Sequence, residues 1–330
     1  MTKYRFLEVP PLNSNLLMLQ LGRLGDFMCS TAFLPILKRQ RPDISVAGIV
    51  RRRLLDVTGS CEYIDLILPY GLLYDIPLSI IKNIVYKPDI FVDLNHFVSE
   101  TSKIVTFLSL ADIKLTIATG HKTYPYNRFI ALEGIESSHI VDRSLAVAEL
   151  LGLRVSERDR RPHICIPMEG FDGANRVLND FGFEDYIAIN ISAGSDDRML
   201  SSEKWREIIK FILKESDKNI ILLSMPSHME IIEAIGFRNK RRVKSYTGGD
   251  FFTFSALISK SSLLISPDTS AIHIAGAFNV PVVGLYPDVS WNINMFGPTS
   301  DTKVVIFQKG RLVKDIETSL ITKTLIQQLF

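Results

Sequence analysis

Short apolar runs alternate with longer amphipathic ones along almost the whole chain, and this alternation constrains the fold more than any other feature. Residues 16–21 (LLMLQL), 44–50, 64–68, 90–94 and 115–118 read as buried strands. Helical patterns fill the gaps at residues 26–40, 78–86, 101–110 and 138–151. The second half repeats the logic, with strands at 186–191 (YIAINI), 219–223, 263–266 and 280–286. Its helices are expected at 202–215, 252–259, 268–278 and 315–329. Strands that alternate with helices form βαβ units and a mostly parallel sheet. A polar stretch, residues 152–169, separates the halves, and 330 residues suffice for two domains of roughly 150 each. The expected class is therefore α/β, with Rossmann-like domains at 1–160 and 161–330 and a cleft between them. The last helix is free in this reading to pack back on the first domain. In open α/β sheets ligands bind outside the carboxyl ends of the strands, so chemistry is sought in the loops there.

Several function classes fall away early. A net charge of +2 is too small for binding nucleic acid through overall charge. Three cysteines, Cys29, Cys61 and Cys165, read as too few and too scattered for a disulfide framework or a zinc site. A reducing, cytoplasmic compartment is the simpler expectation. Residues 1–13 lack the apolar run of a signal peptide, and no run of about 18 apolar residues spans a membrane.

Three loops stand out. Gly22-Arg23-Leu24-Gly25-Asp26 follows the first strand. Its glycines let backbone approach a ligand closely, and Asp26 either caps the next helix or accepts a proton from a substrate hydroxyl. The spacing is not the dinucleotide-binding G-x-G-x-x-G, and no acidic residue ends the second strand. Ser266-Pro267-Asp268-Thr269-Ser270 ends a strand and opens a small-residue helix carrying His273. A helix N-terminus offers free amides and a positive dipole end, which suit a phosphate. Asp268 is alternatively an N-cap, and His273 alternatively structural. Ser192-Ala193-Gly194-Ser195-Asp196-Asp197-Arg198 is polar, small and carries one cation, fit for the other side of a pyrophosphate. Adjacent Asp196 and Asp197 need not converge on a metal.

Arg51-Arg52-Arg53 follows the second strand and can receive an anionic acceptor or lipid headgroups. A second basic group, Arg238, Lys240, Arg241, Arg242 and Lys244, reads as a solvated face. Residues 95–99 and 120–128, with His121, Lys122, Tyr124, Tyr126 and Arg128, have the basic and aromatic content of an acceptor pocket.

Taken in order, these loops resemble glycosyltransferase family 9, the ADP-heptose:lipopolysaccharide heptosyltransferases. Residues 21–35 (LGRLGDFMCSTAFLP), 192–205 (SAGSDDRMLSSEKW) and 266–286 (SPDTSAIHIAGAFNVPVVGLY) carry the likeness. The resemblance implies a GT-B architecture, with donor on the C-terminal domain and acceptor on the N-terminal one. It implies an inverting transfer of heptose from ADP-heptose to a lipopolysaccharide core or related glycan, with no metal and no other cofactor. By position, Asp26 is the general base. Ser192, Gly194, Ser195, Arg198, Glu230, Asp268, Thr269, Ser270 and His273 bind the donor, and Arg23, Arg51, Arg52 and Arg53 the acceptor. The implied partners are a sugar nucleotide and an anionic glycolipid, met in the cytoplasm at the inner-membrane surface; no nucleic acid is implied. Ser270 stands where the family has Gly, and Arg198 where it has Lys, which exchanges a point charge for a fork. Four alternatives stay open: another NDP-sugar, a protein acceptor for heptose, an NAD(P)-dependent oxidoreductase, and a non-catalytic nucleotide-sugar-binding protein.

Overall fold

The computed structural model describes residues 10–71, 84–118, 123–130, 137–237 and 240–329. The chain divides into Met1–Cys165 with Asn294–Phe296, and Ile166–Ile293 with Gly297–Phe330. The divide falls after Cys165, five residues beyond the expected boundary at 160.

In the first unit six strands form one all-parallel sheet: β1 (Asn15–Gln20), β2 (Ser45–Arg51), β3 (Leu66–Tyr70), β4 (Ile90–Asp93), β5 (Ile113–Thr116) and β6 (Arg128–Phe129). Their order is β3-β2-β1-β4-β5-β6, the doubly wound arrangement. Leu16 to Leu19 in β1 are wholly buried, because a parallel sheet is covered on both faces. The described helices are α1 (Leu24–Ser30), α2 (Leu34–Gln40), α3 (Leu55–Thr58), α4 (Glu100–Leu108) and α5 (Ile140–Leu150). The single helix expected over 26–40 is thus two. Pro35 lies in the first turn of α2, where its missing N–H is tolerated; inside a longer helix it would break the ladder. The helix expected over 78–86 falls mostly outside the described residues, as do His121, Lys122 and Arg238.

The second unit repeats the pattern with β7 (Tyr186–Asn190), β8 (Asn219–Leu223), β9 (Val243–Tyr246), β10 (Leu263–Pro267), β11 (Val282–Leu285) and β12 (Lys303–Ile306). Their order is β12-β11-β10-β7-β8-β9, again all parallel. Its described helices are α6 (Met168–Phe181), α7 (Ser202–Glu215), α8 (Met229–Ile235), α9 (Phe251–Ser259), α10 (Ser270–Ala277), α11 (Ser290–Phe296) and α12 (Thr318–Leu329). The polar stretch expected to run to 169 ends sooner, where α6 begins. Gly170 and Gly173 of α6 lie directly on Phe252 and Thr253 of α9, so the two helices approach closely. Ile321 and Leu325 of α12 share a core with Trp205, Ile208 and Ile212 of α7. The last helix therefore packs within its own unit; it is Asn294–Phe296 that groups with the first.

Two further expectations change. Arg242 is not a solvated cation: its guanidinium donates to the carbonyls of Leu213, Ser216 and Lys218, at and beyond the C-terminal end of α7. The cysteines are not all scattered either. Cys61 and Cys165 come together with His163, their ligand atoms lying within 4.8 Å of one another. Among the described residues no helix is long and apolar enough to cross a membrane.

Candidate active site

In each sheet the strand order reverses at one point, where connections leave in opposite directions and open a crevice. In the first unit that point lies between β1 and β4, and the loops after these two strands carry Asp26 and His96. Gly22 makes the approach possible. A Cβ there would meet the Asp26 Cβ and Oδ2 at 2.6 Å and the Gln20 Oε1 at 2.7 Å. Asp26 is the third residue of α1, and its Oδ2 accepts from the Arg23 N–H at 2.6 Å. One carboxylate oxygen thus ties the helix start, but from the third helical position: the N-cap is Arg23, so Asp26 is not the N-cap that the alternative expected. The other, Oδ1, lies 3.7 Å from His96 Nδ1, and the Asp26 side chain keeps 16% exposure. Burial lowers the His96 pKa; Asp26 opposes this shift and Arg143 adds to it. The His96 ring also meets Phe97 and Phe296 edge-on, at centroid distances of 4.5 and 5.6 Å.

A buried polar network fixes both loops. Asn95 Oδ1 accepts from the Leu21 N–H at 2.8 Å, and Gln20 Nε2 donates to the Leu94 carbonyl at 2.9 Å. Asn95 Nδ2 donates to Asp93 Oδ1 at 2.6 Å, and the Tyr126 hydroxyl donates to Asp93 Oδ2. Burial pushes the Asp93 pKa up against these hydrogen bonds. Tyr126 is therefore a buried support of this network, not a lining residue of an acceptor pocket as its sequence context suggested. Tyr124 is 73% exposed, and Arg128 is exposed. Arg23, Arg51 and Arg53 are exposed and Arg52 half-buried, all at the carboxyl ends of neighbouring β1 and β2. Arg51 spends its Nε hydrogen on the Leu21 carbonyl, which joins the two loops.

In the second unit the order reverses between β7 and β10, and the loops after these strands hold Arg198 and Asp268. Asp268 is buried, and its Oδ2 accepts from Asn292 Nδ2 at 2.7 Å while lying 3.1 Å from Arg198 Nη1. Asp268 is not the N-cap of α10. That role belongs to Thr269, whose Oγ1 accepts from the Ala271 N–H at 3.3 Å. Asn190 Nδ2 lies 3.0 Å from each of Thr269 Oγ1 and Ser266 Oγ, binding the two loops together. Thr269 and Ser270 are half-buried at the start of α10, and His273, a turn later, is buried. Ser192 is buried too. Its hydroxyl accepts from the Met225 N–H and contacts His228 Nδ1, each at 2.9 Å. Gly194 and Ser195 are exposed in the same loop, and Glu230 is exposed in the first turn of α8. The structure thus brings Ser192, Arg198, Asp268, Thr269 and Ser270 to one end of one sheet.

His228 and Asn292 were given no role by sequence reasoning, and His96 lay only within the 95–99 stretch expected to help form an acceptor pocket. Each lies outside any spacing pattern, and only the loop pairing brings it to its site. The available chemistry is a carboxylate at one switch point and a guanidinium beside a helix N-terminus at the other. The described side chains at either switch point offer no cluster of metal ligands; among the described residues the one such cluster is at Cys61, His163 and Cys165.

Known proteins share this organisation. The chain is 25% identical over 300 residues to the lipopolysaccharide core heptosyltransferase OpsX of Haemophilus influenzae, covering 85% of this chain and 80% of that protein. It is 26% identical over 183 residues to lipopolysaccharide heptosyltransferase 3 of Escherichia coli, covering 53% and 52% of the two chains. Among solved structures, a glycosyl transferase family 9 protein of Veillonella parvula superposes with a TM-score of 0.78 at 17% identity, covering 96% and 97%. The E. coli heptosyltransferase WaaC solved with ADP gives 0.70 at 17% identity, covering 95% and 97%. Both confirm the pair of Rossmann-like domains. The model of glycosyltransferase family 9 (heptosyltransferase) matches residues 111–321, more than half of the chain, so the chain belongs to that family and is a glycosyltransferase.

Proposed function

We infer that the chain transfers heptose from ADP-heptose to a lipopolysaccharide core or a related anionic glycan, with inversion and without a metal in the transfer step. The observation that carries this is the occupancy of the two switch points: Asp26 at one, and Arg198 beside the start of α10 at the other. The relatives named for heptose transfer, and the superposing structure solved with ADP, support the same donor.

As the sugar–phosphate bond breaks, negative charge grows on the departing diphosphate. Arg198 and the free amides at Thr269 and Ser270 stabilise that charge, a task otherwise given to a divalent cation. Asp268 is already committed to Arg198 and Asn292 and acts as a positioning residue. It aims the guanidinium and does not itself touch phosphate. Gly194 and Ser195 lend backbone and hydroxyl groups to the other side of the diphosphate. Glu230 hydrogen-bonds the ribose, and buried His273 supports α10 from within. Asp26 takes the proton from the acceptor hydroxyl as the new oxygen–carbon bond forms. Attack on the face opposite the leaving diphosphate inverts the anomeric centre. Burial favours the neutral form of the His96 imidazole beside the base. Arg23, Arg51, Arg52 and Arg53 draw an anionic acceptor toward the carboxyl ends of β1 and β2. On a cytoplasmic membrane face they add about 1 kcal/mol each of attraction to anionic lipid.

Family membership sets aside the oxidoreductase alternative. The test is a transfer assay with ADP-heptose and a Kdo-terminated lipid acceptor, without added divalent metal, with the product's anomeric configuration read by NMR. An inverted heptosyl product supports the reading. Transfer only from a UDP- or GDP-sugar, only to protein, or with retention would replace it.

A further inference from the structure

Cys61, His163 and Cys165 form a cluster that glycosyl transfer does not use. Cys61 is held in a tight turn between α3 and β3: its N–H donates to the Thr58 carbonyl at 3.0 Å, and its own carbonyl accepts from Ile64 at 3.1 Å. His163 and Cys165 lie on the last segment of the first unit. The His163 N–H donates to the Met28 carbonyl at 2.9 Å, and its ring rests against the Tyr63 ring at 4.8 Å and 61°. The backbone bond fixes where the residue sits, and the Tyr63 ring packs against the imidazole itself. His163 Nε2 lies 3.2 Å from Cys165 Sγ, and all three ligand atoms lie within 4.8 Å of one another.

We propose that Cys61, His163 and Cys165 bind one thiophilic divalent cation, of which Zn2+ is the type, as a structural clip between the turn before β3 and the end of the first unit. Bond lengths of about 2.3 Å to sulfur and about 2.0 Å to nitrogen give tetrahedral ligand–ligand separations of roughly 3.5–3.8 Å. The observed spread reaches up to 4.8 Å, so the widest pair must close by as much as about 1 Å to meet them. Two sulfurs and an imidazole select zinc over magnesium or calcium, which take oxygen ligands. Binding displaces the two thiol protons, and a water completes the fourth position. Cys61 is buried while His163 and Cys165 are partly exposed, which leaves a route for the ion to enter. The cluster lies on the amino-terminal side of β3, whereas Asp26 and His96 follow the carboxyl ends of their strands. The clip takes no part in the proposed transfer, and it stands or falls independently of the donor.

The test uses the reduced full-length protein and Co2+ as a spectroscopic stand-in. We expect thiolate-to-cobalt absorption that saturates at one equivalent per chain and is displaced by Zn2+. Cys61→Ser and Cys165→Ser lose this absorption, while Cys29→Ser, at the wholly buried third cysteine, keeps it. In case buried Cys61→Ser fails to fold, the wild-type protein gives a second readout. Zn2+ should slow iodoacetamide alkylation of Cys165 at least tenfold, read by peptide mass spectrometry. Absent or substoichiometric absorption, or equal alkylation with and without Zn2+, overturns the proposal. So does a signal that survives in the Cys61→Ser/Cys165→Ser double variant.

Discussion

Gly22→Ala tests whether the close fit behind Asp26 matters for both stability and turnover. The φ of Gly22 lies outside the left-handed range, so the penalty is steric and not conformational. The new methyl would lie 2.6 Å from the Asp26 Cβ and Oδ2 and 2.7 Å from the Gln20 Oε1. Ordinary contact between such atoms is about 3.5 Å, so something must yield by nearly 1 Å. Gln20 is held at its amide nitrogen by Ser30 Oγ at 2.8 Å and by the Leu94 carbonyl at 2.9 Å, and it is buried. Asp26 is partly exposed and tied by a single backbone hydrogen bond, so Asp26 is the group that moves. Overpacking of this kind costs about 1–3 kcal/mol. For a domain of this size that lowers the melting temperature by roughly 2–12 °C. A displacement near 1 Å at a catalytic group costs about 100-fold in rate. Differential scanning calorimetry and turnover at saturating donor read the two effects separately. Wild-type melting temperature and turnover in Gly22→Ala would refute both the fit and the role of Asp26.

Other perturbations probe neighbouring links. Arg198→Ala removes a charged hydrogen bond worth about 1.5–3 kcal/mol and should weaken ADP roughly 10- to 150-fold by calorimetric titration; unchanged affinity would remove Arg198 from the donor site. Asn292→Ala leaves Asp268 with Arg198 as its described side-chain partner and should weaken ADP severalfold with little change in melting temperature. Because burial holds the His96 pKa below the usual value of about 6.5, turnover should stay level through that pH and fall only beneath it. His96→Asn should move that fall to more acid pH, where protonation of the Asp26 base remains, which a pH–rate profile reads. Asp43 and Asp185 have pKa values lowered in the fold, chiefly by hydrogen bonds from Arg41 and Lys218. Their stabilisation is present above the unfolded carboxylate pKa of about 3.9 and is lost as pH falls through the lower folded values. Asp43→Asn should therefore flatten the acid limb of melting temperature against pH.

Much of the fold is legible because buried parallel strands are continuous apolar runs. Helix α7 and strand β8 begin and end where the pattern places them, since Ser201 caps the one, and Asp217-Lys218 precede and Pro226 soon follows the other. Helix α6 was missed because its many polar positions and two glycines mimic a linker; the glycines are there for contact with Phe252 and Thr253. The break after α1 was signalled by Pro35, which the apolar periodicity masked. The candidate site was legible at Asp26, Arg198, Asp268 and Thr269, whose loops follow strands directly. His96 and His228 were not, because a single histidine carries no spacing signal. The Cys61–His163–Cys165 cluster was invisible for a related reason: Cys61 lies far along the chain from the His163–Cys165 pair, and only the fold joins them.

The central claim is that Asp26 serves the transfer and not the donor, and one paired measurement tests it most directly. Wild type and Asp26→Asn are compared for ADP-induced thermal shift and for turnover of ADP-heptose. ADP at about 100 times its Kd should stabilise both proteins by about 2.7 kcal/mol, a shift of several degrees. Turnover should fall about 100- to 10,000-fold in the variant alone. Near-wild-type turnover in Asp26→Asn, or a shift with UDP, GDP or NAD but not with ADP, would contradict the account.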